Sequence, residues 1–356
     1  MPALDLTATS VDLTRTICDI PSVSDDETPL ADAIFAAVSA YPHLEVLREG
    51  DTIVARTRLG RDRRVAIAGH IDTVPINGNV PTRDIDIDGQ PYLWGRGTVD
   101  MKAGVAVQLK LAAELVAPRI DITWLWYDHE EVDSARNGLT RLAATRPEVF
   151  AADFAILGEP SNGEVEGGCN GTLRAFVRTR GVRAHSARSW IGENAIHKAA
   201  PILARLAEYR PRDVVVEGLE YREGLNAVAI HGGIAGNVIP DACEVEVNYR
   251  FAPSRDAAEA MQHVRDVFEG FEVEVVDVAE GARPGLDAPL AREFVAAVGA
   301  TPQPKYGWTD VARFSAMGVP AVNYGPGDPH LAHHDEERVP LAQIEAVEHG
   351  LRAWLS

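Results

Sequence analysis

The sequence predicts an α/β protein: a doubly wound main domain interrupted by an inserted α+β domain of ferredoxin-like order. Three observations predict it. Short apolar runs alternate with helical patterns through the first part of the chain, and from Thr172 the patterning switches to strict polar/apolar alternation. In addition, His70, Asp100, Glu131 and Glu159 follow one another at intervals of 30, 31 and 28 residues. About 30 residues make one strand plus its crossover helix, so residues spaced this way can gather at one edge of a parallel sheet.

The elements follow in order. RVAIAG (64–69), ITWLWY (122–127) and DFAIL (153–157) are short apolar runs of buried-strand type. A helix is expected over LADAIFAAVSA, with Ser24 and Glu27 forming a capping box ahead of it. KAGVAVQLKLAAELVA (102–117) and GLTRLAATR (138–146) are helical and return the chain across the sheet. After Thr172 come the strand LRAFVRTR (173–180), the helix ENAIHKAAPILARLAEY (193–209), strands near 226–234 and 242–251, a helix at 255–268 and a strand at 271–277. That order, β-α-β-β-α-β, is the split unit of a ferredoxin-like domain. The α/β pattern resumes with DAPLAREFVAAVG (287–299), TDVARFSAMG (309–318), the strand PAVNYG (320–325) and a helix at 340–355. Residues 1–172 and 282–356 are thus expected to form the main domain, and 173–281 the insertion.

Composition narrows the function. A chain of 356 residues is longer than one core usually grows. Its 34 Lys+Arg against 53 Asp+Glu give a net charge of -19, which argues against nucleic-acid and anionic-membrane partners. Cys18, Cys169 and Cys243 are too few and too scattered for a disulfide framework or a thiolate zinc site, and a reducing cytoplasm fits them. No run of 18 apolar residues occurs, so a soluble cytoplasmic protein is expected.

Five segments carry residues suited to chemistry. AGHIDTVP (68–75) sets His70 and Asp72 just past a buried strand, with Asp72 close enough to accept from the second ring nitrogen of His70. WGRGTVDMKAG (94–104) holds Asp100 in a Gly-rich turn that lacks the phosphate-loop spacings. A carboxylate has two oxygens, so Asp100 is the natural bridge between two cations. YDHEEVDS (127–134) offers Glu130 and Glu131, whose neighbouring side chains point in different directions, leaving one for a metal and one for proton transfer. LGEPSNG (157–163) places Glu159 after a strand, and GPGDPHLAHHDEERVP (325–340) contains His330, His333 and His334, among which periodicity does not choose. Each segment alone would pass for ordinary surface; their joint spacing argues for two cations about 3.5–4 Å apart, with zinc suited to imidazole and carboxylate together.

GHIDTVP, RGTVDMKAG, HEEV, GEP and HHDEERV, in this order and spacing, resemble the signatures of the dinuclear-zinc aminoacylase and carboxypeptidase superfamily over essentially the whole chain. The resemblance implies a zinc-peptidase-like catalytic domain, an inserted lid and dimerisation domain, and two Zn2+ per subunit, with Co2+ as an alternative. One metal would be held by His70, Asp100 and Glu159, the other by Asp100, Glu131 and His333. His333 is chosen because the family's ligand His stands four residues before the Glu of an E-x-V, here Glu337-Arg338-Val339. Glu130 would be the general base, Asp72 would support His70, and the peptide after Asp100 would be cis. His185 in RAHSAR matches a His that reaches across a homodimer interface to the scissile carbonyl.

The segments EGGCNGTLR (166–174), GVRAHSAR (181–188), GENAIHK (192–198) and GNVIPDACEVEVNYR (236–250) further resemble members that remove a succinyl group from a diamino diacid. Asn170, Thr172, Asn237 and Arg250 match substrate-contacting positions, although Cys169-Asn170 stands where better-known members carry arginine. Arg174, Arg178, Arg180, Arg183 and Arg188 form a basic cluster near His185, of a type that suits the carboxylates of a small anionic substrate. An N-acetylornithine deacetylase or a dipeptidase is the alternative within the superfamily; a metal-free binding protein that kept the fold is the alternative outside it.

Overall fold

The computed structural model describes residues 4–356, which fall into two compact units. The first comprises residues up to 167 with 284–303 and 313–356; the second comprises 168–283 with 304–312.

The first unit is built on an eight-stranded sheet whose four central strands, Asp121–Tyr127, Arg64–His70, Phe154–Leu157 and Ala321–Asn323, run parallel in that order. They are buried almost throughout, as continuous apolar runs demand of strands covered on both faces. The doubly wound expectation holds for this centre. At the margins the sheet is mixed, because the hairpin Glu45–Glu49/Thr52–Arg56 adds antiparallel on one side and Glu166–Gly167 adds antiparallel on the other. That hairpin turns at Gly50, which has φ +61°. Phe154, Phe294 and Trp354 meet edge-on or tilted, joining the sheet to the helices Pro289–Val298 and Leu341–Leu355.

Two of the three ligand intervals have the expected origin, a helix followed by a strand: Lys102–Glu114 and Asp121–Tyr127 between Asp100 and Glu131, and Gly138–Thr145 and Phe154–Leu157 between Glu131 and Glu159; the first interval does not. Between His70 and Asp100 lies no crossover helix but the hairpin Arg83–Ile87/Gln90–Trp94, completed as a three-stranded antiparallel sheet by Arg338–Pro340. The crossover helix, Lys102–Glu114, begins only after Asp100 and stops short of Pro118. The capping box is also absent. The helix Thr28–Ser39 starts on Glu27 with no side-chain cap, and Ser24 instead donates its hydroxyl to Asp72 at 2.8 Å.

The second unit contains a four-stranded antiparallel sheet in the order Gly224–Gly232, Ala242–Phe251, Gly171–Arg180, Glu272–Ala279. In chain order this is 2-3-1-4, the ferredoxin-like arrangement. The expected helix over 193–209 is split into Ala195–Lys198 and Ala200–Glu208, with Pro201 in the first turn of the second piece. With Ala257–Val267 these helices supply Ala195, Ile202, Ala260 and Val264 to the core under the sheet. The hairpin Asp213–Val216/Leu219–Arg222 was not anticipated; it turns at Glu217 and Gly218, both at positive φ.

Candidate metal centre

The five expected ligands all lie in the first unit, each at the end of an element. His70 ends its strand, Asp100 precedes the helix Lys102–Glu114, and Glu131 and Glu159 follow the strands Asp121–Tyr127 and Phe154–Leu157. His333 comes from the loop before Arg338–Pro340 and has φ +65°. The Asp100–Met101 peptide is cis.

Two groups share Asp100. Its Oδ1 lies 3.0 Å from Nε2 of His70, which stands 4.0 Å from Oε1 of Glu159. Its Oδ2 lies 3.3 Å from Nε2 of His333, which is 3.0 Å from Oε2 of Glu131. Ligand atoms of His70, Asp100 and Glu131 also fall within 4.8 Å of one another. By contrast, His334 accepts from the Glu336 N–H and His330 pairs with Asp328, so neither faces this group.

The donor set fits two divalent cations. Three carboxylates carry a charge of about -3 between two neutral imidazoles, which a pair of dications and one hydroxide would balance, and both donor types suit zinc. The protons show the same pressure. Burial opposes charge on His70, but Asp100 and Asp72 hold its pKa well above the ordinary value. Hydrogen bonds to Asp100 and Glu131 push His333 up to about 10. Burial would raise the Asp100 carboxyl, yet hydrogen bonds from His333 and His70 hold it well below the ordinary range.

Asp72 faces the second ring nitrogen of His70 as expected and takes a further part as well. The second ring nitrogen of His70 bonds chiefly to the backbone carbonyl of Asp72, at 3.0 Å, with Oδ1 farther away at 3.5 Å. The carboxylate makes further bonds: Oδ1 accepts the Glu130 N–H at 3.0 Å, and Oδ2 accepts the Glu131 N–H at 3.1 Å and the Ser24 hydroxyl. Burial would raise the Asp72 carboxyl, yet the hydrogen bond and positive charge of His70, helped by the Glu130 and Glu131 N–H groups, hold it below the usual carboxylate range.

Several residues support the ligands without being ligands themselves. Glu337, fully buried, accepts the N–H groups of Val99 and Asp100. Gly104 and Gly325 pack so tightly against the chain at Gly158 that a Cβ on either would stand 2.2 Å from the Gly158 carbonyl oxygen. Glu27, Asp128 and His129 form a second cluster of metal-type residues beneath the Glu130–Glu131 loop. Arg141 and Thr52 already bind the Asp128 carboxylate, so this cluster is a charge-balanced brace.

In the second unit, Asn170, Thr172 and Arg250 gather at one end of the sheet, where Arg250 pairs in register with Thr172. Asn170 donates to the Arg222 carbonyl, while its Oδ1 is buried without a partner. Arg250 is desolvated, donates to Asn248, and has no carboxylate at ion-pair distance among the described residues. Asn237 and His185 lie on neighbouring segments: the Asn237 carbonyl accepts the Ser186 N–H, and His185 is exposed, with Nδ1 accepting from Ala187. Four of the five arginines of the basic cluster are neutralised, and only Arg188 has no carboxylate at ion-pair distance among the described residues. Arg174, Arg178, Arg180 and Arg183 each pair with a carboxylate, from Glu246, Glu244, Glu272 and Asp241 respectively.

The pattern of "Peptidase family M20/M25/M40" matches residues 66–356. A Mycobacterium tuberculosis protein named "Putative succinyl-diaminopimelate desuccinylase DapE" is 52% identical over 355 residues, covering 99% of each chain. The "Succinyl-diaminopimelate desuccinylase" of Corynebacterium glutamicum is 46% identical over 366 residues, covering 100% of this chain and 98% of its own. Among solved structures, the aminopeptidase PepT of Bacillus cereus shares the fold with a TM-score of 0.77 at 18% identity, over 99% of this chain and 98% of its own.

Proposed function

The chain belongs to peptidase family M20/M25/M40, and from that membership we propose that it is a metal-dependent hydrolase cleaving N-succinyl-L,L-2,6-diaminoheptanedioate to succinate and L,L-2,6-diaminoheptanedioate, a step of diaminopimelate and lysine biosynthesis. The observation that carries the chemistry is Asp100, whose two oxygens face different imidazoles.

Two Zn2+ are the proposed cofactors, one on His70, Asp100 and Glu159 and one on Asp100, Glu131 and His333, with Co2+ as a substitute. Bound there, such a pair acidifies water and polarises the scissile carbonyl. Glu130, aimed by its backbone bond to Asp72, takes the proton from the attacking water and delivers it to the departing amine. Arg250, with Asn170 and Thr172, supplies a desolvated cation and hydrogen-bonding groups for a substrate carboxylate, and Asn237 stands beside His185 as a further contact.

His185, offered by a second copy, donates to the developing oxyanion. A homodimer through the inserted domain, acting as lid, is supported by the outer strand Gly224–Gly232, whose free edge exposes Val228 and Ile230. An apolar, unpaired edge calls for cover. No helix among the described residues is long and apolar enough to cross a membrane. Three buried free thiols agree with a cytoplasmic location.

The test is a substrate panel on the purified protein with metal analysis. Hydrolysis of the succinylated diamino diacid in preference to N-acetylornithine and dipeptides is expected; preference for either rival class would reassign the substrate. A protein that takes up no zinc and hydrolyses none of them would be a binding protein.

A further inference from the structure

We infer that Glu337 is a positioning residue for both metal sites at once, because its buried carboxylate fixes the backbone from which the shared ligand Asp100 projects. The inference rests on the two-metal reading above.

Glu337 is wholly buried, and its Oε1 accepts two successive amides, Val99 N–H at 2.8 Å and Asp100 N–H at 3.0 Å. Its Oε2 accepts Nη1 of Arg96 at 2.9 Å, and Arg96 is itself buried. The backbones are joined as well: the Gly95 N–H donates to the Glu337 carbonyl, and the Glu337 N–H to the His334 carbonyl. The Val99 and Asp100 amides precede the helix, where no earlier turn supplies an acceptor, so something outside the turn must.

A buried ion pair is seldom the most stabilising way to fill space, since apolar groups of similar volume often do as well. What a carboxylate adds here is direction. One oxygen sets the two amides, the other is set by the guanidinium, and the turn is left with one orientation for the Asp100 side chain. The same segment presents His333 four residues earlier. Glu337 therefore couples the shared ligand to the distal one, as Asp72 couples the His70 loop to Glu130 and Glu131.

The test compares two double variants that both remove the buried charges and differ only in the amide acceptor: Glu337→Gln with Arg96→Met, and Glu337→Met with Arg96→Met. Zinc affinity is read by chelator competition on metal-free protein, alongside kcat, KM and the melting temperature without zinc. The glutamine pair should bind both ions within about threefold of the parent, and the methionine pair should weaken both together by about tenfold or more, the usual effect of losing a group that orients ligands. kcat should fall with KM near the parent value. Equal affinities in the two pairs, or weakening of one ion alone, would overturn the inference, as would a lower melting temperature with unchanged affinity. Should the methionine pair not fold, Glu337→Gln alone serves, since its single oxygen cannot accept from both Arg96 and the Val99 and Asp100 amides and the guanidinium competes for it: both ions weakened supports the inference, one or neither overturns it. A parent that binds no zinc would refute the two-metal reading itself, a separate result.

Discussion

The N–H of Glu130 donates to Oδ1 of Asp72 at 3.0 Å, and the N–H of Glu131 donates to Oδ2 of the same carboxylate at 3.1 Å. One buried side chain thus sets the proposed base and a proposed ligand together, through their backbone.

Asp72→Asn keeps the shape but turns one acceptor into a donor facing an N–H. Turnover should fall about 10- to 100-fold, the range seen when a group orienting a metal ligand is lost. Steady-state kinetics with metal analysis checks it; unchanged kcat would remove Asp72 from this role. Ser24→Ala deletes a further donor to the same carboxylate and should cost about tenfold, the low end for a hydrogen bond to a charged group.

Glu130→Gln should retain both metals and lose turnover by about 10²- to 10⁴-fold, the usual worth of a positioned proton carrier. Single-turnover assays on zinc-loaded protein would expose substantial residual hydrolysis, and such activity would assign the proton transfer to another group.

Metal uptake should release protons. His333 has its pKa raised from 6.5 to about 10, so in the metal-free protein it is protonated at neutral pH and must lose that proton to bind a cation. Zinc affinity should therefore climb as pH rises towards 10. The stability sign follows: a raised histidine stabilises the metal-free fold fully below about 6.5, and the contribution is lost as pH rises through about 10. The gap in melting temperature between zinc-loaded and metal-free protein should widen across that window. Calorimetry in buffers of different ionisation enthalpy measures the protons; none released at pH 7 would contradict the assignment.

Arg250→Met should raise KM about 10- to 100-fold, the value of one charge-assisted hydrogen bond, with a smaller effect on kcat. An unchanged KM would place carboxylate recognition on another cation.

His70, Glu131 and Glu159 were legible because each lies at or just past the end of an apolar strand, where an α/β sheet collects its loops, whereas Asp100 in its Gly-rich turn and His333 in its loop were legible only through their motifs. The regular spacing reflects a helix and a strand in the two later intervals but not in the first, where a hairpin precedes Asp100. The loop histidines were not separable by pattern; backbone geometry at His333 aims it inward while His334 turns back on Glu336. The partners of the ligands were largely illegible. Ser24 and Glu27 have the spacing of a capping box, and only the fold brings Asp72 close enough to win the hydroxyl. Likewise, nothing in the composition of 174–183 shows that strands far along the chain supply a carboxylate for each arginine.

Gly104 and Gly325 both press against the carbonyl of Gly158, one residue before Glu159. In a saturation library scored for turnover, positions 104 and 325 would therefore tolerate as little as the metal ligands, though neither bears a functional group. Mutational intolerance in this protein maps the clearance around the centre as much as the chemistry within it.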